Sequence, residues 1–473
     1  MTIFLILSLA LILRLFNLNQ SLWLDEAINI LAAKNYSLFE MVSQYAKADF
    51  HPPGFFIIIW LWTKLFGYSE IAVRIPSVIC GVLSIWFVYL IGKKIVSKEL
   101  GLVAALLMAV NPLHIYYSQE ARMYSLATLA VLVNILLILK LIKEEKLNLA
   151  LLITSDLAIL ASDYIAYFIF PAQLIFLLII KKKEIFKKRI MALIAALVLG
   201  IWWLPVFLGQ LNVGSVASSN LPTWKFVTGT FDFKTLPLTF IKFIIGRISL
   251  ADKIIYAGFL LPVCSLFTFI LWRGIRVIND LSSKLLLAWI IIPLFLATVI
   301  SLWIPVYNYF RVLYVLPGFI ILVSLGILSF KKRTRYIFLI TVFLIELFCS
   351  FVYLLNSTYQ REDWKGVVNF LRSQEPAIIL FESSGTLAPF DYYANGNLNA
   401  KGSLRDFPAK DESALIDLEN LLKNSKEVYL VDYLVQISDP QRLVAKKLDR
   451  LGYQKVSIKD FNGVGFVYHY LKK

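Results

Sequence analysis

The sequence predicts a polytopic α-helical membrane protein with a C-terminal α/β domain. Three observations predict it: composition, the spacing of apolar runs, and the placement of charge. Of 473 residues, 59% are apolar and 16% charged, and mean hydropathy is +0.73, beyond the range of ordinary soluble proteins. Apolar runs of roughly 17–22 residues, the length that crosses a ~30 Å hydrocarbon layer, recur as far as about residue 356. The net charge is +16. Its excess precedes residue 357: residues 1–356 hold 31 Lys+Arg against 16 Asp+Glu, whereas 357–473 hold 16 against 15. Basic clusters at Lys93-Lys94, Lys181 to Lys183, Lys187 to Arg189 and Lys331 to Arg335 lie between apolar runs, the pattern of cytoplasmic loops. Nucleic-acid binding calls for a basic face on a folded domain. The near-neutral tail lacks one, so no nucleic-acid partner is expected.

Taken in order, residues 1–18 predict a retained first helix. Arg14 follows the apolar run, and neither a basic start nor a small-residue cleavage site suggests a signal peptide. Residues 54–66 are too short to span, and counting them would put the Lys93-Lys94 cluster outside. They predict a juxtamembrane or half-inserted helix, with Trp60 and Trp62 at the interface. Spans are then expected at 70–92, 100–112, 123–142, 147–162, 164–181, 190–208, 253–272, 284–304, 312–330 and 336–355. With the first helix this makes about eleven, placing the N-terminus in the cytoplasm and the tail outside a plasma (inner) membrane. The outer side then receives 17–69, 111–123, 209–252, 304–312 and the tail. Pro222, Trp224, Phe231 and Phe233 suggest that 209–252 forms a partly ordered amphipathic lid. Cys80, Cys264 and Cys349 lie in apolar segments and offer neither a disulfide framework nor a Cys-based zinc site.

The tail predicts a small α/β domain. Helical spacing marks Glu362 to Ser373, Ala414 to Leu422 and Gln441 to Leu451, and buried strands are expected at Ala377 to Phe381 and Glu427 to Tyr433. Strands alternating with helices imply a mostly parallel sheet.

The chemistry-bearing residues face the outer side. Trp23-Leu24-Asp25-Glu26 puts two carboxylates just after the first span, suited to a general base or a metal ligand; the plainer reading is a helix cap with Asp at the N-cap. His51-Pro52-Pro53 adds one of only three histidines, though proline also simply opens helices. The loop Asn111 to Ser125 contains Glu120, Arg122 and Tyr124, where Glu120 and Arg122 alone would make an exposed ion pair of small value. Arg74 and Arg311 stand at outer span ends, where a guanidinium fork suits phosphate or anchors at the interface. Acids within spans are few, Asp156 and Glu346, with Asp163 near a span end. A transporter would place more charge at the midplane.

Leu24-Asp25-Glu26-Ala27, His51-Pro52-Pro53, Arg74-Ile75-Pro76-Ser77, Ser118 to Tyr124 and Arg311 to Pro317 resemble successive motifs of the family 39 protein-mannosyltransferase-like and aminoarabinose-transferase-like glycosyltransferases. The resemblance covers residues 1 to about 330, and Arg361-Glu362-Asp363-Trp364 is similar to bacterial members. It implies a GT-C fold: a transmembrane domain over 1–356, with its first outer loop 17–69 catalytic, and a soluble extracytoplasmic domain over 357–473. It further implies inverting transfer of a sugar from a polyprenyl phosphate to a hydroxyl on a protein, glycolipid or polysaccharide. Asp25 would be the general base, and Glu26 would orient Asp25 or the acceptor. Arg74, Arg122 and Arg311 would hold the donor phosphate, with His51, Glu120, Tyr124 and Tyr314 positioning the site or substrate. A divalent metal is left open, with Asp25, His51 and Glu120 as candidate ligands. Where relatives carry His-Tyr, this chain has Asp163-Tyr164, which weakens any His-containing metal site. The alternative reading is a transporter or flippase of lipid-linked sugars.

Overall fold

The computed structural model describes residues 2–144, 148–220, 232–406 and 408–473, with the backbone alone for 215–220. The chain forms two compact units. The first comprises Met1–Leu18, Ser37–Gly67 and Ile71–Asn356; the second comprises Asn19–Tyr36, Tyr68–Glu70 and Ser357–Lys473. The clustering divides the chain at 356/357, and it groups 19–36 and 68–70 with the tail.

The first unit is helical. Each of the eleven expected spans is occupied by a helix, from α1 (Thr2–Leu15) to Lys332–Leu355. By length and apolarity, however, six of the described helices qualify to cross a membrane, or seven if one bent pair counts as a span. The remainder, including Thr2–Leu15, Leu149–Ser162, Tyr164–Ile179 and Leu313–Leu328, are shorter apolar helices. Gly54–Phe66 is one of these, as the 13-residue run predicts. The bent pair is Lys98–Val110 with Pro112–Ser118, at 64°. Proline cannot donate to the preceding turn and favours the first position of a new helix. Asn111 caps that helix by accepting from the His114 amide at 3.1 Å, and its own amide donates to Phe243 O and Glu346 Oε1. Glycine sets another contact: a Cβ on Gly326 would collide with the Ile270 carbonyl, so the helices meet backbone to backbone there.

The expected lid is replaced in part by helix. Leu204–Asn220 continues the preceding helical segment, and Thr235–Ile245 follows. Phe233 is exposed; Pro222, Trp224 and Phe231 lie outside the described residues.

Polar groups inside the first unit are paired. Arg189 and Asp156, both fully buried, are held by Nη1–Oδ2 and Nη2–Oδ1 contacts of 2.7 and 3.1 Å. Arg189 Nε donates to Gln173 Oε1 at 2.7 Å, Gln173 donates to Asn134, and Asn134 donates to Asp156. Four helices are joined by this circuit. Arg14 of α1 donates to the carbonyls of Ala10, Ala109 and Met108 and to Ser118 Oγ, and meets His114 Nδ1 at 2.6 Å.

The second unit is a five-stranded sheet of order β2-β1-β3-β5-β4. Strands β1 (Ile379–Ser383), β2 (Ala400–Leu404) and β3 (Glu427–Val431) are parallel, whereas β4 (Tyr453–Phe461) and β5 (Gly465–Lys472) add antiparallel. Helices Trp364–Gln374 and Leu443–Arg450 form as expected. The helix expected over Ala414 to Leu422 does not. Leu415 is extended and bridges Leu404, the Ile416 amide donates to Ser403 O, and only Leu418–Leu421 turns helically. Helix α2 (Leu24–Asn35) packs on Ala388–Ala394.

Two predictions follow from this packing. Arg189→Met leaves Asp156 as an uncompensated buried charge; stability should fall by about 3–5 kcal/mol, read as loss of folded, monodisperse protein in detergent. The second concerns Glu382, 1% exposed. Burial, with Asp439 and Asp432 nearby, pushes its carboxyl up to about 9. Folded protein therefore binds this proton more tightly than unfolded protein does, and stability should decline as pH rises from about 4.5 toward 9. Glu382→Gln should flatten that decline in thermal melts of the full chain across this range.

Candidate active site

In the first unit, three loop regions and the end of a helix converge through aromatic packing. Tyr117 and Tyr124 meet edge to face at 5.2 Å, and Phe310 packs on both at 5.9 and 5.3 Å. These rings bring the Ser118 to Tyr124 loop, buried throughout, against the segment ending in Arg311. Tyr124 lies within electrostatic range of Arg122, Glu120, Arg311 and Asp163. Glu120 and Arg122 are 2% and 4% exposed, so the exposed ion pair considered above does not describe them. Arg311 Nη1 reaches the Val306 carbonyl at 3.4 Å, and its Nε is a buried donor with no hydrogen-bond partner among the described residues.

His51 enters from the loop before Gly54–Phe66. Its Nδ1 lies 2.5 Å from Asp49 Oδ1. Burial pushes the Asp49 carboxyl up, but His51 and Arg122 together hold it below the ordinary aspartate value. Asp163 closes the group. Its carboxylate accepts from the Ile165 amide at 2.9 Å. Burial raises it above the usual range against the opposing charges of His51, Arg311 and Arg122. Gln210 ties the neighbouring elements together, donating to the Ala46 carbonyl at 2.7 Å and accepting from the Tyr164 hydroxyl.

Two expected residues have structural partners instead. Arg74 is 1% exposed and donates to the Leu18 carbonyl at 2.9 Å, anchoring the end of the first segment. Tyr314 donates to the Ile165 carbonyl at 2.8 Å, bracing the turn that Asp163 caps. Asp49 was not anticipated, although its position two residues before His51 was a readable signal. Arg247, also unanticipated, stacks over the Tyr116 ring at 4.5 Å and contacts its hydroxyl.

Asp25 and Glu26 belong to the second unit. Trp23 is the N-cap of α2, so the reading of Asp25 as the N-cap does not hold; it is the second helical residue and half-buried. Glu26 is fully buried and accepts from the Trp23 amide at 3.5 Å in a capping box. Among the described residues no group of three or more His, Cys, Asp or Glu gathers to hold a metal ion. The donor set for the open metal is therefore absent from the described geometry, and no step is derived through one.

A helical membrane unit with an acid–arginine cluster at its loop ends, plus an α/β domain, defines a GT-C-type architecture, and comparison with solved structures bears this out. ArnT from Cupriavidus metallidurans, bound to undecaprenyl phosphate, matches with TM-score 0.60 at 12% identity, over 98% of this chain and 97% of that one. The oligosaccharyltransferase AglB from Archaeoglobus fulgidus, in complex with an inhibitory peptide and a dolichol-phosphate, matches with TM-score 0.52 at 12% identity, over 98% and 74%. Residues 50–207 match the family model of dolichyl-phosphate-mannose-protein mannosyltransferases. YycA of Bacillus subtilis (strain 168), provisionally named a mannosyltransferase, is 28% identical over 220 residues, 42% of this chain and 31% of YycA. YkcB of the same strain, similarly named, is 26% identical over 37% of this chain and 26% of its own length. The chain thus spans about a third or less of these curated relatives. The similarity to the protein-mannosyltransferase family is confined to residues 50–207, and the chain as a whole shares the GT-C fold.

If capping is the role of Glu26, Glu26→Ala should cost about 1–2 kcal/mol by loss of the cap acceptor. Glu26→Gln, which keeps an acceptor oxygen, should melt within a degree or two of wild type, about 0.3 kcal/mol or less. Thermal melts of the two purified variants check this.

Proposed function

We propose that the chain is an integral membrane glycosyltransferase that takes a sugar from a polyprenyl-phosphate donor and places it on an acceptor hydroxyl. The reaction lies on the extracytoplasmic face of the plasma (inner) membrane, with the N-terminus cytoplasmic and the tail domain outside, as the basic loop clusters argue. The carrying observation is that Arg122 and Arg311 lie close to Tyr124, itself packed with Tyr117 and Phe310, and that both act with His51 on Asp163. Arg311 Nε, buried and lacking a partner among the described residues, is an available donor for a phosphate oxygen.

Arginine forks hold phosphate by charge-assisted hydrogen bonds, and they stabilise most where charge develops on the leaving group. The acceptor oxygen attacks the anomeric carbon as the bond from that carbon to the phosphate oxygen breaks. The electron pair leaves with the polyprenyl phosphate, the anomeric centre inverts, and the acceptor proton passes to Asp25. Glu26 supports this by fixing the start of α2, while His51 and Glu120 position the phosphate cluster. Arg74, turned to Leu18, helps fix the end of the first segment. The acceptor is a hydroxyl of a protein, glycolipid or polysaccharide.

The alternative, movement of intact lipid-linked sugar across the bilayer, has less support. Transport pathways usually carry exposed intramembrane charge, yet Asp156 is closed off by Arg189.

The test supplies membranes bearing the full chain with undecaprenyl-phosphate-linked radiolabelled mannose and follows label into cell-envelope material. Asp25→Asn should lower the turnover rate by roughly 10²–10⁴-fold, the usual contribution of a general base. Arg122→Gln and Arg311→Gln should mainly raise the donor KM, by about tenfold each. Undiminished transfer by a folded, inserted Asp25→Asn protein would overturn the assignment.

A further inference from the structure

The segment before Asp25 is tied to the first residues of the tail by four hydrogen bonds. Gln20 Oε1 accepts from the Arg361 amide at 3.0 Å and Ser21 Oγ from the Lys365 amide at 3.1 Å. Lys365 Nζ donates to the Asn19 carbonyl at 2.7 Å, and the Leu22 amide donates to the Tyr393 hydroxyl at 2.8 Å. Leu24, next to Asp25, packs against the core around Trp364, Phe381 and Tyr433. Five of the six residues ahead of Asp25, Asn19 to Leu22 and Leu24, are therefore located by the tail.

Glu362 is at the centre of this junction. Its carboxylate accepts from Tyr433 Oη at 2.9 and 3.0 Å and from Trp364 Nε1 at 2.7 Å. Trp364 is fully buried, with Tyr433 set edge-on to it at 4.8 Å. The charge of Asp25 acts on both Glu362 and Tyr433. The other groups facing Glu362 are Arg361 of its own segment, Tyr433 after β3, and Gly463 of the β4–β5 turn, which packs on its Cα, Cβ and Cγ without a titratable side chain.

We propose that Glu362 is a positioning residue for Asp25, a second carboxylate fixed by Trp364 and Tyr433 in the segment that holds the start of α2, where it keeps that base oriented. This rests on the reading of Asp25 as the base. Withdrawal from water pushes the Glu362 carboxyl up to about 7, against the Trp364 and Tyr433 hydrogen bonds and with the Asp25 charge adding to the rise. A carboxyl needed only as a hydrogen-bond acceptor for Tyr433 and Trp364 would be served equally by glutamine. What glutamine cannot supply is a second carboxylate charge facing that of Asp25.

Full-length Glu362→Gln, assayed with undecaprenyl-phosphate-linked mannose, should keep its melting temperature and its donor KM within about twofold while kcat falls roughly tenfold or more. Glu362→Asp should recover part of that loss. An unchanged kcat, or a kcat that falls only in step with melting temperature, overturns the inference. Should the Gln variant fail to fold, Tyr433→Phe is read by the same split and overturned by the same results. A readout independent of turnover separates this from failure of the assignment of Asp25. Infrared titration of protein labelled with carbon-13 glutamate should show the Glu362 carboxylate band forming at lower pH in Asp25→Asn, because a like charge has gone. An unmoved band rejects the coupling while leaving Asp25 as base, and retained transfer by Asp25→Asn rejects the base while leaving the coupling intact.

Discussion

The first unit depends on one constraint: in an apolar surround, each polar group must find its partner within the protein. Arg189 and Asp156 show how it is met. Alone, either charge would be very costly to bury. Together with Asn134 and Gln173 they form a closed set in which every charged oxygen and each guanidinium nitrogen has a named acceptor or donor. Arg14 meets the same demand differently, distributing its donors over three carbonyls, a serine and His114. In both cases the partners come from different helices, so satisfying the charge also fixes the relative placement of those helices.

The same constraint makes the loop-end cluster informative. Arg189 and Arg14 have every guanidinium nitrogen engaged by neighbours, and Arg74 donates to Leu18. Arg311 contrasts with them: its Nη1 reaches the Val306 carbonyl at 3.4 Å, and its Nε has no partner among the described residues. Asp49 and Asp163 balance part of the positive charge, which keeps a cluster of cations stable before any anion arrives.

Much of the first unit was legible because hydrophobic run length and basic clusters are strong signals. Each expected span coincides with a helix, though several helices are too short to count as spans on length alone. The family resemblance, likewise, rested on loop motifs that the aromatic packing brings together, with Arg122, Tyr124 and Arg311 in one place. The tail was harder. Strand β4 has no buried face to announce it: Tyr453 and Phe461 are buried and the seven residues between them exposed, so only pairing with β5 defines it. Ala414 to Leu422 has helical spacing, but Leu415 is claimed by a bridge to Leu404, a long-range contact invisible to periodicity. Asp49 carries no motif signal of its own; only its contact with His51 Nδ1 reveals its place in the cluster.

The assignment of 19–36 to the second unit has the largest consequence. From sequence, the carboxylates at 25 and 26 read as part of a membrane-domain loop, and the tail as a domain without identifiable binding residues. Hydrogen bonds from Arg361 and Lys365 to residues 19–21, and from the Leu22 amide to Tyr393, reverse that division. The short Arg361-Glu362-Asp363-Trp364 segment then has a physical purpose: Asp363 caps its helix, Trp364 builds the core against which Leu24 rests, and Glu362 is held by Tyr433 within reach of the Asp25 charge. A domain that locates α2 by hydrogen bonds between main-chain and side-chain groups of residues 19–22, 361, 365 and 393 can vary in its outer strands without disturbing that helix. Under the proposed function, its contribution to chemistry is concentrated in the few residues that follow Lys332–Leu355.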